Sequence, residues 1–164
     1  MQHIPYTTAD FNRNPLMFYY EITQACDLVC KHCRASAQPG RDPRELTTAE
    51  GIRLLDQVAE MGTPIMILSG GDPVNRPDLL DLIRHGKSRG LRMATIPAAT
   101  DCLTRELVQS LKAAGLDQMA VSIDFPRAER IGHAFMRAVA DVHRELFADL
   151  ADAYGHNVRA KIER

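Results

Sequence analysis

The sequence predicts an α/β chain built on a parallel sheet, of the kind that curves into a partial (β/α) barrel. Short apolar runs alternate with segments whose apolar residues recur at helical spacing, the pattern of repeated strand and helix units. Gly62, Gly90 and Gly115 each close one such helical segment and precede the next apolar run, at spacings of 28 and then 25 residues. The runs are continuously apolar, as strands of a parallel sheet covered by helices on at least one face are expected to be.

Residues 1–16 hold two prolines and no period, and read as an irregular lead-in to a domain spanning 17–164. In "MFYYEIT", residues 17–23, Phe18, Tyr20 and Ile22 alternate with Tyr19, Glu21 and Thr23, which suits a first strand. Thr47 and Glu50 have capping-box spacing, and Ile52, Leu55, Val58 and Ala59 follow at helical intervals up to a Gly62 C-cap. "PIMILSGGDP" reads as a second strand that breaks at a glycine pair, and "RPDLLDLIRHGKSRG" as a helix with Pro77 in its first turn. "LRMATIPAATDC" is a third strand and loop, "LTRELVQSLKAAG" a helix capped by Thr104, and "LDQMAVSIDFP" a fourth strand.

From about Glu129 an amphipathic helix carries Phe135, Val139, Val142, Leu146, Leu150 and Tyr154 on one stripe and closes at Gly155. "HNVRAKIER" then alternates Val158, Ala160 and Ile162 like the opening of a fifth strand. A barrel whose sequence stops there is expected to be a small open sheet or cut before its last units. An exposed fifth-strand edge would pair with another copy or with a second chain.

A length of 164 residues suits one domain with a core that needs neither disulfides nor metal. Apolar residues at 45%, charged residues at 25% and a net charge of −1 give no electrostatic case for nucleic acid or an anionic membrane as partner. The N-terminal stretch lacks a basic region followed by an apolar one, and no apolar run approaches bilayer length, so a cytoplasmic protein is expected. In that reducing compartment, clustered cysteines point to metal binding or catalysis rather than to disulfides.

Three of the four cysteines, Cys26, Cys30 and Cys33, fall within "CDLVCKHC". Positions i, i+4 and i+7 share one face of an α-helix, so buried packing is one reading. The polar neighbours Asp27, Lys31, His32 and Arg34 weigh against it. As ligands, three thiolates fall short of the four that closed structural zinc requires, with His32 the local choice for a fourth. A four-iron cluster held by three cysteines leaves one iron open to a small molecule. Cys102, far off in sequence, reads as a lone thiol or core residue.

Cys-x3-Cys-x2-Cys directly after a first strand, followed by "SGGDP" at 69–73 after a second, resembles the radical SAM superfamily. "PAAT" at 97–100 and "SIDFP" at 122–126 are similar to its branch of haem-related and SPASM-type maturases, and the likeness runs from about residue 16 to 127. The resemblance implies a 4Fe–4S cluster on Cys26, Cys30 and Cys33, with S-adenosylmethionine chelated at the open iron. It implies reductive cleavage of that cofactor to a 5′-deoxyadenosyl radical, which abstracts hydrogen from a small-molecule or peptide substrate. An electron donor such as a flavodoxin or ferredoxin is the implied partner. No catalytic side chain is implied beyond the cluster.

The same resemblance assigns cofactor binding to Gly70, Gly71, Asp72 and Pro73, with Asp72 standing where the family more often has Glu. Glycines there let the main chain approach a ligand closely, so that carbonyls and amides reach the methionine ammonium. Ser122 and Asp124, at the carboxyl end of the fourth strand, are further cofactor-binding candidates, and Thr100 is a weaker one. Where the family has six strands, the fifth and sixth are missing or barely begun, and no cysteines follow Cys102 to hold a further cluster. A second reading of the same residues is a non-catalytic iron–sulfur or zinc module, or an inactive fragment of a radical SAM enzyme.

Overall fold

The alternation in "MFYYEIT" becomes strand β1, Met17–Thr23, in a computed structural model that describes residues 13–31, 33–98 and 100–121. It is joined by β2 (Ile65–Gly70), β3 (Arg92–Thr95) and β4 (Gln118–Met119), all parallel, in the order β1-β2-β3-β4. Helices α1 (Thr48–Glu60), α2 (Leu79–Ser88) and α3 (Arg105–Ala113) form the crossovers.

Strand parity sorts the side chains. Tyr20, Ile22, Met66, Leu68 and Met93 pack with Leu55, Val58, Leu82, Ile83 and Leu111 into one buried core between sheet and helices. The alternate set, with Tyr19 opposite Ile67 and Glu21 opposite Ser69, faces the other side of the sheet. Tyr19 is 57% exposed there, as a residue on the inner wall of an open partial barrel would be.

Local chemistry fixes the helix starts. Thr47 and Glu50 form the expected capping box, and Thr104 accepts a hydrogen bond from the Leu107 amide at 3.2 Å. Gly62 has φ +79°, the left-handed conformation its C-cap position requires.

The start of α2 differs from the expectation. Pro77 lies before the helix, which begins at Leu79, and a short 3-10 turn at Pro73–Asn75 precedes it. The cause is Arg76, whose side chain has 0% exposure. Its guanidinium donates to Ile22 O at 2.6 Å and Leu46 O at 3.0 Å, and grips Asp78 at 2.6 and 2.9 Å. With Arg76 held extended ahead of a proline, the helix starts only after Asp78. The rest of the fourth strand past 121, the helix from Glu129 and the strand at 158–162 lie outside the described residues, as does the lead-in before residue 13.

Candidate functional site

The cysteine segment leaves β1 as an irregular loop and not as a helix. Cys26 N donates to Gln38 O at 2.9 Å, Gln38 N donates to Gln24 O at 2.9 Å, and a turn closes from Cys33 N to Cys30 O at 3.1 Å. Without a helix, the shared-face packing reading of Cys26, Cys30 and Cys33 has no basis. Cys26 is buried, Cys30 half-buried and Cys33 exposed.

All three cysteines line one cleft of about 370 Å³, and Gly70 and Gly71 form another part of its wall. The Leu28 amide donates to Cys26 Sγ and the Ala37 amide to Cys33 Sγ, both at 3.4 Å. Backbone N–H groups aimed at sulfur suit thiolate ligands, because such bonds spread the charge of a metal-bound sulfur. Burial pushes the free Cys26 thiol up, so loading a metal there releases a proton. Among the described residues no three His, Cys, Asp or Glu side chains converge as ligands of a single ion do. The three thiols share the lining of one cleft, and a set of soft thiolate donors is the kind that an iron–sulfur group takes.

The glycine pair sits against the base of the cysteine loop. A Cβ on Gly71 would lie 2.5 Å from Gln24 O and 2.6 Å from Ala25 O, and one on Gly70 would press into Thr23 O. Gly71 N donates to Thr23 O and Asp72 N to Ala25 O, each at 2.7 Å. Close approach is therefore between two stretches of main chain. The Gly71 and Asp72 amides are thus spent within the fold, which turns the loop's contribution toward its carbonyls.

Asp72 and Pro73, expected as cofactor contacts, do not line the cleft. Asp72 has 0% exposure; its Oδ1 accepts from the amides of Val74 and Ala98 at 3.3 Å, and its Oδ2 from Thr100 Oγ1 at 3.1 Å. Burial raises its pKa against the pull of those donors. Thr100 is thereby a brace of Asp72. Pro73 is buried at the first position of the 3-10 turn, where its lack of an N–H leaves no donor unsatisfied. Cys102 is exposed and donates to Asp27 Oδ2 at 3.2 Å. Ser122, Asp124 and His32 lie outside the described residues.

Two charged residues not among the expected site residues, Glu21 and Arg34, also line the cleft. Glu21 had a signal, since it occupies the non-core phase of the β1 alternation near the carboxyl edge of the sheet. Arg34 had none beyond its place next to Cys33.

The family model described as the radical SAM superfamily matches residues 20–158. The AdoMet-dependent heme synthase of Methanosarcina barkeri is 43% identical over 115 residues, covering 70% of this chain and 33% of that protein. The PqqA peptide cyclase of Bradyrhizobium diazoefficiens is 37% identical over 116 residues, covering 71% and 30%. The chain thus spans about a third of the length of the curated relatives it matches. Among solved structures, Streptococcus suis SuiB bound to S-adenosylmethionine aligns with a TM-score of 0.36 at 14% identity, over 88% of this chain and 50% of that one.

Proposed function

Because the chain belongs to the radical SAM superfamily, whose cofactors are a 4Fe–4S cluster and S-adenosylmethionine, we propose that Cys26, Cys30 and Cys33 hold the cluster in this cleft. In this reading the Gly70–Gly71 loop receives the methionyl end of S-adenosylmethionine at the iron that lacks a cysteine. The observation that carries it is the meeting of three thiols and the glycine pair on one cleft, although a whole strand and helix separate them in sequence. When bound, cluster and cofactor supply reductive cleavage to a 5′-deoxyadenosyl radical and hydrogen abstraction from substrate.

The chain's own residues bind and orient. An ammonium carries donors and no acceptor, so it suits the carbonyls left to this loop and not its amides. Glu21 and Arg34 give the cleft one charge of each sign, complementary to the ammonium and carboxylate of a zwitterionic amino-acid moiety. Asp72 and Pro73 act from behind, fixing the loop in place. The reading extends cofactor binding to Ser122 and Asp124.

The proposal extends to a small-molecule or peptide substrate, in line with the names of the relatives. It includes an electron donor of the flavodoxin or ferredoxin type, a reducing cytoplasmic setting, and association with another copy or a second chain. Among the described residues no helix is long and apolar enough to cross a membrane. The test is anaerobic reconstitution followed by assay of 5′-deoxyadenosine under a strong reductant. Turnover in the parent and none in Cys30→Ala is expected; a fully iron-loaded parent that forms no 5′-deoxyadenosine sinks the catalytic claim for this chain.

A further inference from the structure

Outside the cleft, one side chain gathers both ends of the cysteine loop. Glu45 lies shortly before α1, with its side chain 8% exposed. Its Oε1 accepts from Thr23 Oγ1 at 2.9 Å, from Gln24 N at 2.8 Å and from Asp42 N at 3.2 Å. Its Oε2 accepts from Arg41 Nε at 2.7 Å.

Thr23 and Gln24 lead into the loop that carries the cysteines; Arg41 and Asp42 lead out of it. Thr23 passes the restraint on, since its Oγ1 accepts from the Ala25 amide at 3.1 Å, next to Cys26. An ionised carboxylate has acceptor sites for four donors and donates nothing, which matches these partners. An amide in its place would turn an NH2 group toward Arg41. Burial acts to raise the Glu45 pKa, yet the hydrogen bonds from Arg41, Gln24, Thr23 and Asp42 outweigh it and hold the carboxyl below its usual value.

We infer that Glu45 is a positioning residue of the iron-binding loop: it touches no thiol, but it closes the base of the loop and so holds the three cysteines at the spacing a cluster needs. This rests on the reading of Cys26, Cys30 and Cys33 as ligands. The Ala25 to Gln38 bridge and the Gly71 and Asp72 amides lock the same base from inside. Glu45 supplies the outer lock.

The test joins two readouts on the 164-residue chain: amide hydrogen exchange of the metal-free protein, and chelator-driven iron loss from the reconstituted protein. In Glu45→Ala, exchange at the Cys26 and Gln38 amides is expected to quicken roughly tenfold or more, while amides of β2 and α2 keep their protection. Iron loss should quicken alongside. Glu45→Gln, which can keep Oε1 toward Thr23 and Gln24, should fall between parent and alanine variant, and it carries the comparison where the alanine variant fails to fold.

Unchanged protection at Cys26 and Gln38 overturns the inference. So does protection lost evenly across the chain, or iron held as firmly as in the parent after the local protection has gone. A parent that takes up no iron sinks the cluster reading instead, and the exchange data then decide the Glu45 clasp alone.

Discussion

Both carboxylate oxygens of Asp72 are committed to Val74, Ala98 and Thr100, so truncating it strands buried donors. Asp72→Ala is expected to lower unfolding free energy by about 2–4 kcal/mol in denaturant titrations, at the scale of a few unsatisfied buried groups. The pH dependence has a definite sign. Burial raises the folded-state pKa of Asp72, so the stability its protonation contributes is fully present below the unfolded value, about 3.9, and is lost as pH rises through the raised folded value. Relative to Asp72→Asn, the parent should therefore gain in melting temperature as pH falls through that window. A difference that stays flat with pH contradicts this assignment. That Cys26, Cys30 and Cys33 share one loop was legible in the sequence because their spacing is local, but the inward turn of Asp72 was not: it depends on Ala98 and Thr100 arriving from the far side of α2 and β3.

Elements were read well wherever their signal was local. The capping box of α1, the Thr104 cap of α3 and the glycine stops all lie within a turn of the residues they control. The start of α2 was misplaced because Arg76 answers to Ile22 and Leu46, residues that local pattern cannot bring near. A site loop and a helix cap respond differently to substitution. Gly71→Ala drives a Cβ into Gln24 O and Ala25 O, where the contact is backbone on both sides and cannot yield by side-chain rotation. It should cost about 1–3 kcal/mol and separate the glycine loop from the cysteine loop, read as lowered iron content after reconstitution. Thr47→Ala removes a cap remote from the cleft and should cost about 1 kcal/mol with iron content unchanged.

At the scale of the molecule, the helices and one sheet face make the core, and residues of the opposite face line the cleft at its carboxyl edge. That division followed from the strand periodicity, which set Tyr20 and Ile22 against Tyr19 and Glu21. Arg76 ties these parts together, bridging β1, the segment before α1 and the start of α2. Arg76→Ala leaves Asp78 without its cation and two carbonyls without this donor. A loss of about 3–5 kcal/mol is expected, visible as a single cooperative transition moved to lower denaturant. Loading the site should move the molecule the other way. A ligand at a hundred times its dissociation constant adds about 2.7 kcal/mol, so S-adenosylmethionine should raise the melting temperature of the reconstituted parent and leave Cys30→Ala unmoved. The central claim is that three cysteines hold a cluster whose remaining iron faces the Gly70–Gly71 loop. The electron paramagnetic resonance spectrum of the reduced, reconstituted chain with and without S-adenosylmethionine tests it most directly. Binding at the open iron predicts a spectrum that shifts on addition of the cofactor; a full-occupancy cluster whose spectrum does not change would contradict the claim.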